Sequence, residues 1–404
     1  MLRILYIATS FPEPEKGATI YTDLAETLHE AGHEITVAVS EPAGSNQHGQ
    51  LKTERGFEVL RIITGDYYDV GFIRKGMTTL KIPILMRRGI RKYLKDRVFD
   101  FILYEAPPVT NSDLVCWAGK HFGCPKYLML KDIFPQNAVD LGIMKKNSFV
   151  WRYFAGKEKK LYQTADFIGC MSPANVKYIL EHNSWIDPVK VELFPNTKRL
   201  SHEPKPNGRP MRKKFGIPDE SCVFLFGGNM GRPQYLELLC ETIRKFRDDQ
   251  ELFFLFVGRG ADKHKLEQTI KENGIRNALL LDNLPRDEYE QITREIDIGL
   301  IVLDPRFTIP NYPSRILSYM EYAKPVLAAT DTATDIRDLI RDARLGEWVW
   351  SGDARAFMNK VKEMSKSAEL AEMGGNGREF IEKHYQVRRS AEILESHFDP
   401  GTRG

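Results

Sequence analysis

The chain has 404 residues, of which 42% are apolar and 28% are charged, and its formal net charge is +3. This length predicts two or three domains, and this composition excludes disordered and fibrous proteins. The small net charge argues against a nucleic-acid partner, and the lack of a long apolar run argues against a membrane-spanning helix.

The first 200 residues alternate between predicted strands and helices. Helical spacing of apolar residues begins at Ile20 and stops near Gly32, and another helix is predicted around Ser112–His121. Short apolar runs typical of buried strands lie at Arg3–Ala8, Glu34–Val39, Phe101–Tyr104 and Lys126–Leu130. Strands that alternate with helices predict a parallel sheet covered on both faces.

The alternation restarts after Glu203–Pro210, a segment rich in proline, glycine and charge that we interpret as a linker. Further strands are predicted at Cys222–Phe226, Leu252–Val257, Leu279–Leu281, Ile298–Leu303 and Val326–Ala329. The predicted fold class is α/β, with two tandem Rossmann-like, doubly wound domains at 1–200 and 211–380 that face a cleft. The glycines of 374–377 are predicted to break the last helical region. A long helix from Arg378 to Phe398, within a C-terminal segment of about 380–404, then packs on the second domain or crosses back to the first.

A glycine-rich loop, Gly227–Gln234, follows the first predicted strand of the second domain. Backbone N–H groups and a helix N-terminus would converge there on an anion such as a phosphate, and Arg232 would add a bidentate donor. The alternative is a tight turn whose glycines only supply positive φ. The sequence GGNMGRPQ has neither the dinucleotide-binding spacing nor a Walker lysine, so it predicts neither of those sites.

Two later loops of the same domain also carry arginines. Arg259 lies between two glycines, where it could meet a phosphate or a base, or remain in solvent. Ser314 can cap a helix that has Arg315 in its first turn, and a cation there opposes the helix dipole unless an anion binds. Glu321 on that helix is interpreted equally well as a surface acid.

In the first domain, polar residues again follow predicted strands. Asp132 is the carboxylate best placed for substrate hydroxyls or acid–base chemistry, unless it only caps a turn. Lys131 precedes it, and Glu105 stands at another strand end as a weaker candidate.

No metal site is predicted, because the histidines have no second ligand at a useful spacing. The five cysteines are odd in number and form no CxxC pair, which indicates reduced thiols and a cytosolic protein. The first apolar run is too short for a signal peptide.

Taken together, these motifs resemble the GT-B glycosyltransferases of family 4, which are retaining enzymes that use sugar nucleotides. The resemblance rests on the order and spacing of Phe194–Asn196, Gly227–Arg232, Val257–Gly260 and Pro313–Val326. With Lys131–Gln136, these segments are most similar to a bacterial subgroup that makes capsule, O-antigen and exopolysaccharide and includes N-acetylfucosaminyltransferases.

The resemblance implies a role for each matching residue. Arg232, Arg315 and Asp132 would be catalytic, and Lys131 and Glu105 would bind the acceptor. The donor would be bound by Gly17, Ala18, Gly228, Asn229, Gln234, Arg259, Leu284, Ser314 and Ser318.

Several positions depart from the family pattern. Gln234 replaces a second basic residue, Ala18 replaces a second glycine, and Lys131 replaces a histidine beside the reacting sugar. Pro310 and Ser318 stand where many members carry two glutamates, so the ribose contact of the second glutamate is missing or is made by a hydroxyl.

The resemblance implies retaining transfer from a nucleotide-diphosphate donor, with UDP as the expected nucleotide, to a lipid-linked or glycan acceptor, without a metal or other cofactor. Arg74–Arg97 holds nine basic residues and one acid among apolar residues, and this pattern predicts docking on an anionic membrane or an ordinary solvated helix. Docking would place the enzyme in the cytoplasm, peripherally on the inner face of the plasma membrane. The alternatives are a GT-B sugar-nucleotide epimerase and a non-catalytic GT-B-like binding protein.

Overall fold

The computed structural model describes residues 1–44, 50–66, 72–201 and 208–398, and for 72–77 it describes the backbone only. The chain folds into two units. Unit 1 comprises residues 1–199 together with the chain from Val387, and unit 2 comprises residues 200–386. Most of the predicted linker, residues 203–207, lies outside the described residues.

The sheet of unit 1 has eight strands. They are β1 (Arg3–Ala8), β2 (Glu34–Glu41), β3 (Leu51–Glu54), β4 (Phe57–Ile63), β5 (Phe101–Ala106), β6 (Lys126–Leu130), β7 (Phe167–Cys170) and β8 (Val191–Leu193). Their order is β3-β4-β2-β1-β5-β6-β7-β8, and every pair is parallel except β3 with β4. The strand order reverses between β1 and β5, so this is the switch point at which doubly wound sheets bind ligands.

Helices cover the sheet of unit 1. They are α1 (Ile20–Glu30), α2 (Phe72–Leu94), α3 (Ser112–Phe122), α4 (Gln136–Asp140), α5 (Phe149–Thr164) and α6 (Pro173–His182). The hydroxyl of Thr19 accepts a hydrogen bond from the backbone N–H of Thr22, and the Thr22 hydroxyl in turn accepts one from Thr19. This reciprocal capping explains why α1 begins where the loop after β1 ends.

The sheet of unit 2 has six strands, all of them parallel to their neighbours. They are β9 (Cys222–Asn229), β10 (Leu252–Arg259), β11 (Ala278–Leu281), β12 (Ile298–Val302), β13 (Val326–Thr330) and β14 (Gly346–Trp350). Their order is β11-β10-β9-β12-β13-β14. The switch point therefore lies between β9 and β12, which are the strands that precede the predicted Gly227–Gln234 and Ser314–Arg315 loops.

The helices of unit 2 alternate with these strands. They are α7 (Pro210–Lys214), α8 (Leu236–Lys245), α9 (Lys263–Glu272), α10 (Arg286–Glu295), α11 (Arg315–Glu321), α12 (Ile336–Ala343), α13 (Ala354–Met364) and α14 (Leu370–His384). Buried aromatic and aliphatic side chains fill the space between them and the sheet, as Phe224, Phe254, Leu239 and Phe357 illustrate.

The predicted helix break at residues 374–377 is wrong, because these residues lie inside α14. A Cβ atom on Gly374 would lie 2.0 Å from the carbonyl oxygen of Ala323. Gly374 therefore lets α14 approach the backbone that follows α11. The predicted single helix from Arg378 to Phe398 is likewise two helices, with the boundary after His384.

The chain returns to unit 1 as α15 (Val387–Phe398), which packs on α1 and on the sheet. The backbone N–H of Val387 donates to the carbonyl of Lys198 at 3.1 Å, and the rings of Phe398 and Phe101 stack at 4.0 Å. The last helix thus completes the hydrophobic core of unit 1.

Candidate functional site

Three loops meet at the carboxyl edge of the sheet in unit 2. The backbone N–H of Met230, after β9, donates to the carbonyl of Arg259 at the end of β10, at 2.8 Å. The N–H of Asp304, after β12, donates to the carbonyl of Pro233 at 3.0 Å. The structure therefore joins the predicted Gly227–Gln234 loop to the loops that carry Arg259 and Arg315.

Glycines allow these loops to pack backbone against backbone. Gly258 has φ +150°, and a Cβ atom there would lie 1.9 Å from the carbonyl oxygen of Gly228. Gly260 has φ +159°, and its Cβ would lie 2.4 Å from the backbone carbon of Met230. A larger residue at either position would push the loop after β9 out of place.

Arg315 lies beneath this loop as a cation without a counter-charge. Its Nη2 donates to Oε1 of Gln234 at 2.5 Å, and its guanidinium lies 4.4 Å from the centre of the Phe226 ring. Its Nη1 is buried and has no hydrogen-bond partner, and no carboxylate pairs with the guanidinium anywhere in the described part of the chain. Burial lowers the pKa of Arg315, which shows that the charged form is destabilised.

The neighbours of this guanidinium are neutral. The hydroxyl of Tyr319 donates to the carbonyl of Leu225 at 2.9 Å, and the hydroxyl of Tyr289 occupies the space that a Cβ on Gly227 would need, at 2.0 Å. Burial raises the pKa of both tyrosines, so neither supplies negative charge at neutral pH. An unpaired, recessed cation at a switch point is a site for an anion.

The other predicted donor residues lie around Arg315. Arg232 is exposed, and its side chain makes no hydrogen bond or ion pair with any residue that the structure describes. Gly228 and Asn229 are exposed in the same loop, and Gly228 has φ +112°. Gln234 is buried and orients Arg315.

Four more of the predicted donor residues lie at the end of β10 or follow β11 and β12. Arg259 is exposed, whereas Leu284 and Ser318 are half-buried. Ser314 precedes α11, but its side chain makes no capping hydrogen bond. Its φ of −64° and ψ of −15° are already helical, so the hydroxyl does not reach the free N–H groups, and the predicted cap is wrong.

Glu321 at the end of α11 is not a surface acid. It is 2% exposed, and its Oε1 accepts a hydrogen bond from the backbone N–H of Ser201 at 2.6 Å. It therefore fixes the start of unit 2.

In unit 1 the Gly17–Ala18 loop is held by an arginine that the sequence did not reveal. Gly17 has φ +103°, and its carbonyl oxygen accepts a hydrogen bond from Nη2 of Arg55 at 2.5 Å. The same nitrogen donates to the carbonyls of Pro12 and Glu13 at 3.2 and 3.3 Å. Arg55 therefore sets the path of the loop after β1, from the turn between β3 and β4.

Glu105 at the end of β5 is 5% exposed, and its carboxylate oxygens are occupied. They accept hydrogen bonds from the hydroxyl of Tyr6 at 2.7 Å and from the backbone N–H of Thr9 at 2.9 Å. Burial raises the pKa of Glu105. This placement favours a role in fixing the end of β1 over the direct acceptor contact that the resemblance implies.

Lys131 follows β6, the neighbour of β5 in the sheet. Its Nζ donates to Oδ1 of Asn196 at 2.9 Å and lies 5.3 Å from the centre of the Phe194 ring. Burial lowers the pKa of Lys131 to about 8, although nearby Glu105 favours the charged form.

Asp132 lies in a hydrogen-bonded turn next to a second carboxylate. It accepts hydrogen bonds from the backbone N–H of Ile133 at 2.8 Å and from Nδ2 of Asn137 at 2.5 Å, and burial raises its pKa to about 6. The neighbour is Glu158 on α5, whose pKa is raised to about 7 by burial and by the charge of Asp132. Glu158 follows no strand, so no pattern in the sequence selects it as a site residue.

The basic segment Arg74–Arg97 lies in α2 up to Leu94, and the side chains of Arg74 and Lys75 lie outside the described residues. Its apolar residues are divided between two environments, since Ile90 is buried whereas Leu80 and Ile84 are 48% and 54% exposed. No helix in the described ranges is both long and apolar enough to cross a membrane.

Comparison with known proteins adds a family match and a fold. Residues 208–380 match the family model of glycosyl transferases group 1. WbjE of Pseudomonas aeruginosa, a candidate glycosyltransferase, is 23% identical over 267 residues, which cover 66% of each chain. WcaI of Escherichia coli K12, a candidate colanic acid biosynthesis glycosyl transferase, is 21% identical over 366 residues, 84% of this chain and 86% of WcaI.

Solved structures match the whole chain at low sequence identity. Sucrose-phosphate synthase from Thermosynechococcus elongatus has a TM-score of 0.75 at 15% identity and covers 98% of both chains. WaaG, a glycosyltransferase of lipopolysaccharide biosynthesis, has a TM-score of 0.68 at 14% identity and covers 99% of this chain and 100% of its own. The Anabaena protein HepE with UDP and glucose has a TM-score of 0.66 at 14% identity, over 98% and 99% of the two chains. The chain therefore has the GT-B fold, and residues 208–380 are similar to the glycosyl transferases group 1 family.

Proposed function

We propose that this protein is a retaining glycosyltransferase that moves a sugar from a UDP-sugar to a lipid-linked or glycan acceptor in bacterial surface polysaccharide synthesis. The observation that carries the proposal is the uncompensated guanidinium of Arg315 beneath Gly228, with unpaired Arg232 in the same loop. Two cations at the switch point of a Rossmann-like sheet suit a diphosphate.

The same arrangement suits the chemistry of transfer. The bond between the anomeric carbon and the phosphate oxygen breaks, and charge develops on the leaving diphosphate. Arg315 and Arg232 stabilise that charge from fixed positions, so the proposed reaction requires no metal. The acceptor oxygen bonds to the anomeric carbon on the same face, and its proton passes to the leaving phosphate oxygen.

In unit 1, Lys131 and Asp132 have the chemistry to orient the acceptor. At neutral pH the ammonium group of Lys131 can donate to an acceptor oxygen, and the carboxylate of Asp132 can accept from an acceptor hydroxyl. Gly17 has a positive φ and no side chain, so the donor could approach the backbone of its loop closely.

Uridine is the base that the relatives favour, because structures with this fold hold UDP in HepE and UDP-2-fluoro glucose in the E. coli trehalose-6-phosphate protein. The hydroxyl of Ser318 would contact the ribose, and Arg259 and Leu284 would lie beside the base. The names of WcaI and WaaG support a role in cell-surface polysaccharide synthesis. The exposed cations of α2 support work at the inner face of the plasma membrane.

A thermal-shift panel of UDP, GDP and ADP tests the proposed donor site, since a ligand that binds the native state raises the apparent stability by mass action. We expect UDP to give the largest shift, and Arg232→Ala to reduce both that shift and the rate of transfer. Full transferase turnover by Arg232→Ala would refute its role on the leaving group. Conversion of the UDP-sugar to an epimer without an acceptor, or UDP binding without any turnover, would refute the proposed transfer.

A further inference from the structure

The amino end of α5 and the turn before it expose apolar side chains at the surface of unit 1. Phe149 is 89% exposed, and Val150, Ile143 and Tyr153 are 54%, 49% and 43% exposed. We call these four residues the α5 patch. Phe149 is the most exposed large apolar side chain in the part of the chain that the structure describes. Contiguous exposed apolar groups of this kind mark an interaction surface.

The backbone beneath the α5 patch is well fixed. Ser148 caps the helix, since its Oγ accepts a hydrogen bond from the N–H of Trp151 at 3.2 Å. The N–H of Ile143 donates to the carbonyl of Ala138 at 2.9 Å. The hydrogen-bonded backbone therefore fixes the positions from which the side chains of the patch extend into solvent.

The charged side chains around the patch are mostly basic, although Lys157 is paired with the carboxylate of Asp113. Residues 141–157 contain four basic side chains and no acidic one. Lys145, Lys146 and Arg152 are exposed, and Nζ of Lys157 lies 5.5 Å from the centre of the Tyr153 ring. Aromatic and aliphatic groups among cations are complementary to the interface of an anionic bilayer, where rings enter the headgroup layer and cations attract lipid phosphates.

The patch also adjoins the candidate acceptor residues of unit 1. The ring of Phe154 contacts Tyr153 in the patch, with centroids 5.2 Å apart, and Phe134 beside Asp132, with centroids 5.0 Å apart. Glu158, whose pKa responds to Asp132, is five residues beyond Tyr153 on α5, or about 7.5 Å along the helix axis.

We propose that the α5 patch docks unit 1 on an anionic membrane, with Phe149 and Val150 inserted into the headgroup layer. This surface is separate in sequence from the basic residues of α2. Docking through it brings Asp132 to the level at which a lipid-linked acceptor presents its sugar. That consequence rests on the proposed function, whereas the membrane contact itself does not.

Co-sedimentation of the full chain with vesicles tests the contact. Vesicles of phosphatidylcholine alone are compared with vesicles that also contain phosphatidylglycerol. We expect Phe149→Asp to lower the partition coefficient on anionic vesicles at least about tenfold, the effect of losing one buried aromatic side chain. Lys145→Gln combined with Lys146→Gln should weaken binding about thirtyfold at low salt and less at high salt.

The matched control is Val189→Asp, which places the same carboxylate at a 78% exposed apolar position elsewhere in unit 1. It should bind vesicles like the parent, and both aspartate variants should keep the parent's thermal midpoint. Equal vesicle binding by Phe149→Asp and the parent would overturn the proposal. So would a stable dimer of the parent that Phe149→Asp dissociates, because the patch would then be covered by a second copy.

The outcomes separate this inference from the proposed function. If Phe149→Asp loses vesicle binding but keeps the parent's UDP-induced thermal shift, the patch acts only in docking, as proposed. If the parent binds vesicles but shows no UDP shift, the proposed donor is wrong while the docking surface stands.

Discussion

Replacing Arg315 with methionine should weaken UDP binding without damaging the fold. In the proposed site, the free Nη1 of Arg315 donates to the donor diphosphate. A hydrogen bond to a charged group contributes about 1.5–3 kcal/mol. Losing one such bond corresponds to a roughly 10- to 150-fold rise in the Kd for UDP.

The same substitution has a different expected effect on stability. The pKa of Arg315 is lowered in the folded protein, so folding destabilises its charged form. Methionine removes that cost and can still contact Phe226, but it also removes the hydrogen bond to Gln234, which contributes about 1 kcal/mol. The penalty for an unpaired ion that is fully buried is of the order of several kcal/mol, and it is smaller for Arg315, which is half-buried. The free energy gained by removing the charge should therefore equal or slightly exceed the loss of the hydrogen bond, so we expect a net stabilisation of zero to about 1 kcal/mol.

Isothermal titration with UDP and thermal unfolding of the free protein measure the two effects. Arg341→Met is the control, because Arg341 is 66% exposed in the last turn of α12, at the opposite edge of the sheet, and should change neither quantity. Gln234→Glu puts a carboxylate beside Arg315 and should raise stability while weakening UDP binding. The reasoning is refuted if Arg315→Met unfolds several degrees earlier yet binds UDP like the parent, since Arg315 would then be structural.

Two further predictions concern the acceptor residues and the α14 glycines. The kcat/KM of transfer should rise with pH as Asp132 ionises near pH 6, and it should fall as Lys131 loses its proton near pH 8. Lys131→Arg should therefore extend activity to higher pH. A kcat/KM of the parent that does not change with pH would contradict both assignments. Gly374→Ala should destabilise the protein by about 1–3 kcal/mol, because its Cβ would clash with backbone. Gly375→Ala should stabilise the protein by about 0.5–1 kcal/mol, because a Cβ there has nothing within 4 Å and alanine favours the helix. Equal melting temperatures of the two variants would contradict this prediction.

Four of the eight strands of unit 1 and five of the six strands of unit 2 could be predicted, because parallel strands are buried on both faces and appear as short apolar runs. The strands β3, β4, β7 and β8 of unit 1 were not predicted. The limits of β1 and β6, Arg3–Ala8 and Lys126–Leu130, are those predicted. The edge strand β14, Gly346–Trp350, was not predicted, because its residues are only partly buried and it lacks such a run. The helix break at residues 374–377 was predicted wrongly for a different reason. Gly374 is required by close contact with the backbone of Ala323, which is distant in the sequence.

The candidate site was predictable to the extent that it follows from topology. Carboxyl ends of parallel strands share one edge of a sheet, and the loops that carry Gly228 and Arg315 do meet there. The sequence could not show that Gln234 holds Arg315, because the two residues are 81 positions apart. The hydroxyl of Tyr289 was equally hidden, and its only local signal is Gly227, whose missing side chain leaves room for it.

Both units keep charged groups beyond the carboxyl ends of their strands in surroundings that favour the neutral form. Burial lowers the pKa of Arg315 and Lys131 and raises that of Asp132, which is one physical effect with opposite signs for cations and an anion. A substrate that supplies the missing partner stabilises the charged form of these groups. This requirement explains why a neutral amide suits position 234. A lysine there would add a second unpaired cation beside Arg315, and a carboxylate would cancel the charge, whereas Gln234 orients the guanidinium and leaves it free to bind a diphosphate.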